Sequence, residues 1–158
     1  MDLQIEKLIS KLKNSFEETP WYGDSVLKII SGIDSRWVNT VPANSKNTIA
    51  KIVQHMINWR LLALEKLKGN LTYEIKIDSA DDWPEVFINN ESEWNALLDK
   101  LKKSQRDIIA FLSTKNDAFL TQQTPGRSYN HEYLVEGIIQ HDIYHTGQIV
   151  MIAKYAKS

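Results

Sequence analysis

Apolar residues recur at steps of three and four along four long stretches of the chain, the spacing of amphipathic helices. The first stretch runs from about Leu3 to Glu18, with Ile5, Ile9, Leu12 and Phe16 on one stripe, and Pro20 stops it. The second runs from about Lys46 to Lys68, with Asn44 or Ser45 as its N-cap and Gly69-Asn70 as its stop. Its stripe reads Thr48, Ile52, His55, Trp59, Leu62. The third runs from about Glu91 to Ser113, with Trp94, Leu97, Leu101, Gln105, Ile108 and Leu112 in line. The fourth runs from about Asn130 to Tyr155, with Leu134, Ile138, His141, His145, Ile149 and Ile152 in line.

Two longer connections separate these stretches. In residues 20–44, Asp24 or Ser25 caps a short helix through Ile30, and Gly32 ends it. In residues 69–90, the alternation of LTYEIKID predicts either a short strand or an extended strap. Pro125-Gly126 marks a turn before the last helix. The expected fold is all-α: one domain over residues 1–158, a four-helix bundle with a short extra helix in the first long connection. The helix order is not fixed by the pattern.

Composition narrows the function classes. The 158 residues include no cysteine, which excludes disulfides, thiolate metal sites and cysteine nucleophiles. Nineteen basic residues face twenty acidic ones, without the basic excess of a nucleic-acid binder. Lys100, Lys102 and Lys103 read as a solvated helix face. No stretch has the length of a membrane span or the apolar run of a signal peptide, so a cytoplasmic protein is expected, with no nucleic-acid or membrane partner.

The histidines carry the chemistry. His141 and His145 are four residues apart, so at ~100° per residue they lie one turn apart on one face. Both fall on the apolar stripe, and His55 falls on the stripe of the second helix. A buried imidazole without a partner costs roughly 1–3 kcal/mol. One divalent ion shared by three rings would satisfy them together. The competing reading is three core histidines, each bonded to an ordinary neighbour. His131 lies over two turns from His141 and stays outside the set. Gln148 shares the face of His141 and is a candidate to orient a water or substrate. Tyr144 is a candidate hydrogen-bond or proton donor. Trp59, Gln105 and Gly137 are candidate pocket-lining positions, and each has a plain packing reading as well. Asp142 points ~100° away from His141 and is given no role. Trp21, Trp83 and Trp94 line either a cavity or a partner surface.

The stretch GIIQHDIYHTGQI, residues 137–149, resembles the last helix of the DinB-like family. TIAKIVQHMINWR at 48–60, WYGDSVLKIISGI at 21–33, DDWP at 81–84 and SEWNALLDKL at 92–101 continue the likeness in order. The resemblance implies a four-helix bundle of unusual connectivity and a divalent metal held by His55, His141 and His145. It also implies a homodimer, and chemistry such as transfer of a low-molecular-weight thiol. Zinc, nickel or iron suits an all-imidazole set, and any thiol must come from outside a cysteine-free chain. Three readings follow: a metal-dependent transferase or hydrolase of small molecules, a non-catalytic metal-binding protein, or a stress-response interaction module.

Overall fold

The computed structural model describes residues 3–43 and 45–157. Its helices are α1 (Leu3–Glu17), α2 (Val26–Ser31), α3 (Ile49–Leu67), α4 (Glu91–Leu112), α5 (Asp117–Leu120) and α6 (His131–Ala156), with a 3-10 turn at Ser35–Trp37. The four predicted long helices are α1, α3, α4 and α6, and the short extra helix is α2. Among the described residues there is no strand, only an isolated bridge between Gln123 and Asn130. The 69–90 connection is therefore the extended strap.

Two boundaries move inward. α3 starts at Ile49, where Thr48 Oγ1 accepts from the Lys51 amide at 3.1 Å. Ser45 instead bonds to Asn47 within the preceding loop, and Asn44 lies outside the described residues. Thr48, read as the first stripe residue, is the N-cap. α6 starts at His131 because Asn130 caps it, its side chain accepting from the Tyr133 amide at 2.9 Å. At four residues, α5 is too short to show a period. Its Asp117 carboxylate accepts from the Gln4 and Ile5 amides and so caps α1.

The core falls into two apolar clusters. One joins Ile49–Ile57 of α3 with Trp94–Leu101 of α4 and Ile149 and Ile152 of α6. The other joins Leu64 and Leu67 of α3 with Ile108 and Leu112 of α4, Val135 of α6 and Ile5–Leu12 of α1. Corresponding ends meet, so α3 and α4 run parallel, and α1 and α6 run antiparallel to them. Parallel neighbours cannot be joined by a tight turn. The chain must return along α3, which is ~28 Å long.

The strap makes that return. Lys66 Nζ bonds to Leu71 O and Glu74, Asn58 Nδ2 to Asp81 O, and Lys51 Nζ to Glu85, in descending order along α3. Asn39 then grips the backbone of Ile88 at both its N–H and its carbonyl. The strap covers α3 on the side that the other helices leave open. This is why α3 is buried nearly all round, from Ile49 to Leu67.

Between the two apolar clusters lies a polar layer. Arg60 of α3 is 1 % exposed. Its guanidinium bonds to Asp142 of α6, to Gln105 of α4 and, at 2.9 Å, to Ser104 Oγ. Phe16 of α1 packs under it, 4.7 Å from ring centre to guanidinium carbon. Gln105 Nε2 donates onward to Leu12 O of α1. All four long helices meet at this one side chain.

Candidate metal centre

Periodicity places His55, His141 and His145 on inward faces, and the antiparallel packing of α3 and α6 brings them together. The three Nε2 atoms form a near-equilateral triangle. The sides are 3.1 Å for His55–His141, 3.0 Å for His55–His145 and 3.1 Å for His141–His145.

The outer nitrogens decide which protons the rings carry. His55 Nδ1 lies 2.8 Å from the Asp82 carbonyl oxygen and 3.0 Å from Asp82 Oδ1. Both partners are acceptors, so the proton sits on Nδ1 and Nε2 keeps its lone pair. His145 Nδ1 donates in the same way to Gln148 Oε1 at 2.7 Å. Two lone pairs therefore face each other across the triangle. A proton on His141 Nε2 would satisfy only one of them. His141 Nδ1 is itself buried with no partner.

A cation inside the triangle would satisfy all three nitrogens. Imidazole nitrogens sharing one ion at ~2.0–2.1 Å stand roughly 2.9–3.4 Å apart, depending on coordination angle. The observed edges fall in that span, so the residues fit a divalent ion. Protonation does not compete near neutral pH. Burial is the largest cause, pushing His141 down to about 3 and His145 down to about 4. The neighbouring imidazoles and Arg60 lower His141 further. Burial also lowers His55, against the pull of Asp82.

Aromatic side chains enclose the triangle. Trp83 stacks on His55 at 3.8 Å with 7° between planes. Trp59 stands 5.8 Å from His141 and donates from Nε1 to Asp82 Oδ1 at 2.7 Å. Tyr144 meets the edge of His145, and its hydroxyl accepts from Gln148 Nε2 at 3.1 Å.

This geometry accords with a family assignment. The family model described as the DinB superfamily matches residues 21–149. The chain belongs to the DinB superfamily. A comparison with curated proteins found no match. Within this DinB domain, the matched span holds all of α3, α4 and the three histidines, and most of α6.

The other sequence candidates occupy distinct places in the DinB fold. Gln148 and Tyr144 form a relay behind His145. Gln105 sits in the Arg60 layer, its oxygen accepting from Arg60 and its nitrogen donating to Leu12 O. A Cβ added at Gly137 would meet nothing within 4 Å, so tight helix packing is not what requires glycine there. His131 bonds to Phe119 O at 3.0 Å, away from the triad. Trp21 is fully exposed and Trp94 is core. A cleft of about 530 Å³ lies on the far side of Gln148, with Ile52, Gln148, Met151 and Ile152 in its wall and none of the three histidines.

Sequence reasoning misses Asp82 and the Arg60–Asp142 pair. Asp82 lies in the aperiodic strap, where no spacing links it to a histidine, and its one signal is the DDWP motif. The helical angle that denies Asp142 a place beside His141 turns it toward Arg60. Burial pushes its carboxyl up, and Arg60 opposes the rise.

Proposed function

We propose that the chain binds one divalent metal ion through His55, His141 and His145 and acts as a metal-dependent enzyme on small molecules. The observation that carries this reading is the closed triangle of Nε2 atoms, two of which present lone pairs held inward by Asp82 and Gln148. Zinc, nickel and iron all suit the donor set. A divalent ion with three protein donors supplies a Lewis acid with room for one small reactant.

The protein's own residues do the rest. Asp82 and Gln148 hold two rings in the ligand-competent tautomer. Trp59 and Trp83 shield the centre from water and strengthen electrostatic interactions within it. The cleft beyond Gln148, the residue it shares with the centre, offers a substrate the largely apolar wall expected of a ligand site. Two reaction classes fit: transfer of an external low-molecular-weight thiol to an electrophile, and hydrolysis of a small substrate. The absence of cysteine means that the sulfur of the first must enter with the co-substrate.

One observation favours a second reading, a metal-binding or interaction module without catalysis. The buried carboxylates around the triad are held by other groups, Asp82 by His55 and Trp59 and Asp142 by Arg60 through Oδ2, its Oδ1 buried without a partner. Asp142 points toward Arg60, not into the triad, so no carboxylate stands at the Nε2 triangle as a general base. We carry a homodimer and a cytoplasmic setting as part of the proposal. No helix among the described residues is long and apolar enough to cross a membrane.

The test is elemental mass spectrometry on protein purified without a metal-binding tag, alongside His145→Ala with its fold checked by circular dichroism. Near-stoichiometric metal in the parent, lost in the folded variant, supports the centre. Turnover of electrophiles with added thiol by the loaded protein then selects the enzyme. Absent metal, with no uptake of zinc, nickel or iron, sinks the reading.

A further inference from the structure

The three candidate ligands are not held alike. His145 is backed by a neutral amide, and His141 by nothing. His55 alone is backed by a carboxylate, and that carboxylate belongs to the strap rather than to a helix. Asp82 is 3 % exposed, and its bonding capacity is committed. Its carbonyl oxygen and Oδ1 both face His55 Nδ1, Oδ1 also accepts from Trp59 Nε1, and Oδ2 accepts from the Asp78 amide at 2.9 Å. Asp78 adopts φ 62°, a left-handed conformation that non-glycine residues seldom take. The backbone there is bent into the turn that aims its N–H at the carboxylate. Next in sequence, Trp83 lies flat on the His55 ring.

A carboxylate behind a ligating imidazole fixes the tautomer and ring orientation and makes the far nitrogen a stronger donor. We propose that Asp82 is a positioning residue for the metal centre, acting through His55. The inference rests on the reading of the three histidines as a metal site. It makes the strap part of the centre: the segment that returns the chain from α3 to α4 also carries the negative charge that offsets a bound cation. His55 is then the strongest donor of the three.

The experiment titrates Co²⁺ into the metal-free parent, Asp82→Asn and Glu85→Gln. Affinity and the visible absorption of the bound ion are read together. Asp82→Asn keeps the shape and the backbone carbonyl but loses the charge, and its NH2 must face the Asp78 amide so that the oxygen still accepts from Trp59. Glu85→Gln removes an equal charge from the same strap, where the side chain touches Lys51 and not the triad. The expected result is a ~10–100-fold loss of affinity and a shifted cobalt spectrum in Asp82→Asn, with Glu85→Gln like the parent. Affinity in Asp82→Asn within twofold of the parent overturns the proposal, as does an equal loss in Glu85→Gln. Should Asp82→Asn not fold, nitrogen-15 spectra of the parent's histidines decide. His55 protonated on Nδ1, with its N–H shifted downfield on loading, supports the role; protonation on Nε2 in the metal-free protein overturns it. A parent that binds no cobalt fails the metal reading itself. A parent that binds it with Asp82→Asn unchanged fails only the role of Asp82.

Discussion

Removing the Arg60 side chain would leave Asp142 buried with no cation beside it, so the carboxyl must either hold an unpaired charge or take up a proton. Breaking a buried pair from one side costs ~3–5 kcal/mol, far more than exchanging both partners for apolar groups. Arg60→Ala is therefore expected to lower the denaturant midpoint sharply, and Arg60→Met with Asp142→Leu to lose less than Arg60→Ala alone. Equal losses would mean that the pair itself does not set the cost. The histidines set the pH response of the metal-free protein. Their folded values lie below the ordinary ~6.5 of an unfolded histidine, at about 3 for His141 and about 4 for His145. Between those values and ~6.5 the unfolded chain holds more protons, so stability rises with pH there and is lost as pH falls. Asp142, pushed up to about 6, works in the opposite sense as one group against four, since burial lowers His55 and His131 as well. Melting with a chelator present should show stability declining from pH 7 to pH 5, and His141→Gln should flatten that slope. At this scale the sequence is most legible where residues repeat by helical turns. His141 and His145 announce themselves by spacing. Asp82 does not, because an aperiodic strap has no phase to read. Arg60 does not, because it stands off the α3 stripe, and a charged residue there reads as solvent-facing until α1, α4 and α6 close over it.

Among the elements, α6 carries the clearest internal test. Gly137 sits in the helix interior with open space where a Cβ would stand. Gly137→Ala should raise stability by ~0.5–1 kcal/mol in chemical denaturation, since alanine costs less backbone entropy in a helix. A substrate that uses that space would lose affinity in the same variant, with metal content unchanged. The existence of the long helices follows from periodicity, and their ends from capping residues once the correct cap is chosen. For α3 geometry settles the choice between candidate caps: Thr48 reaches the Lys51 amide, whereas Ser45 is spent in its own loop. The strap's alternating pattern allows a strand. No partner strand exists among the described residues, and its backbone is held by side chains of α3 instead.

For the molecule as a whole, a bound ion adds stability by mass action, about 2.7 kcal/mol at a hundredfold excess over its dissociation constant. Melting temperature should rise with added zinc or nickel in the parent and stay level in His145→Ala. A parent whose melting is indifferent to every metal offered would speak against the centre. Helix order is the part of the architecture that the pattern of positions could not supply. It depends on which ends meet, and only the two apolar clusters reveal that. The polar layer between those clusters has a consequence for how the protein opens. Local unfolding releases the least anchored segments first. A side chain of α3 that bonds to or packs against the three other long helices leaves none of the four free to detach singly at its level. Amide hydrogen exchange should therefore be slowest in the turns of α3, α4 and α6 around Arg60, Gln105 and Asp142, and nearly uniform among them. The strap amides, secured mainly by side chains, should exchange earlier. The bundle would then behave as one cooperative block, and the strap that joins its two parallel helices would come loose ahead of it.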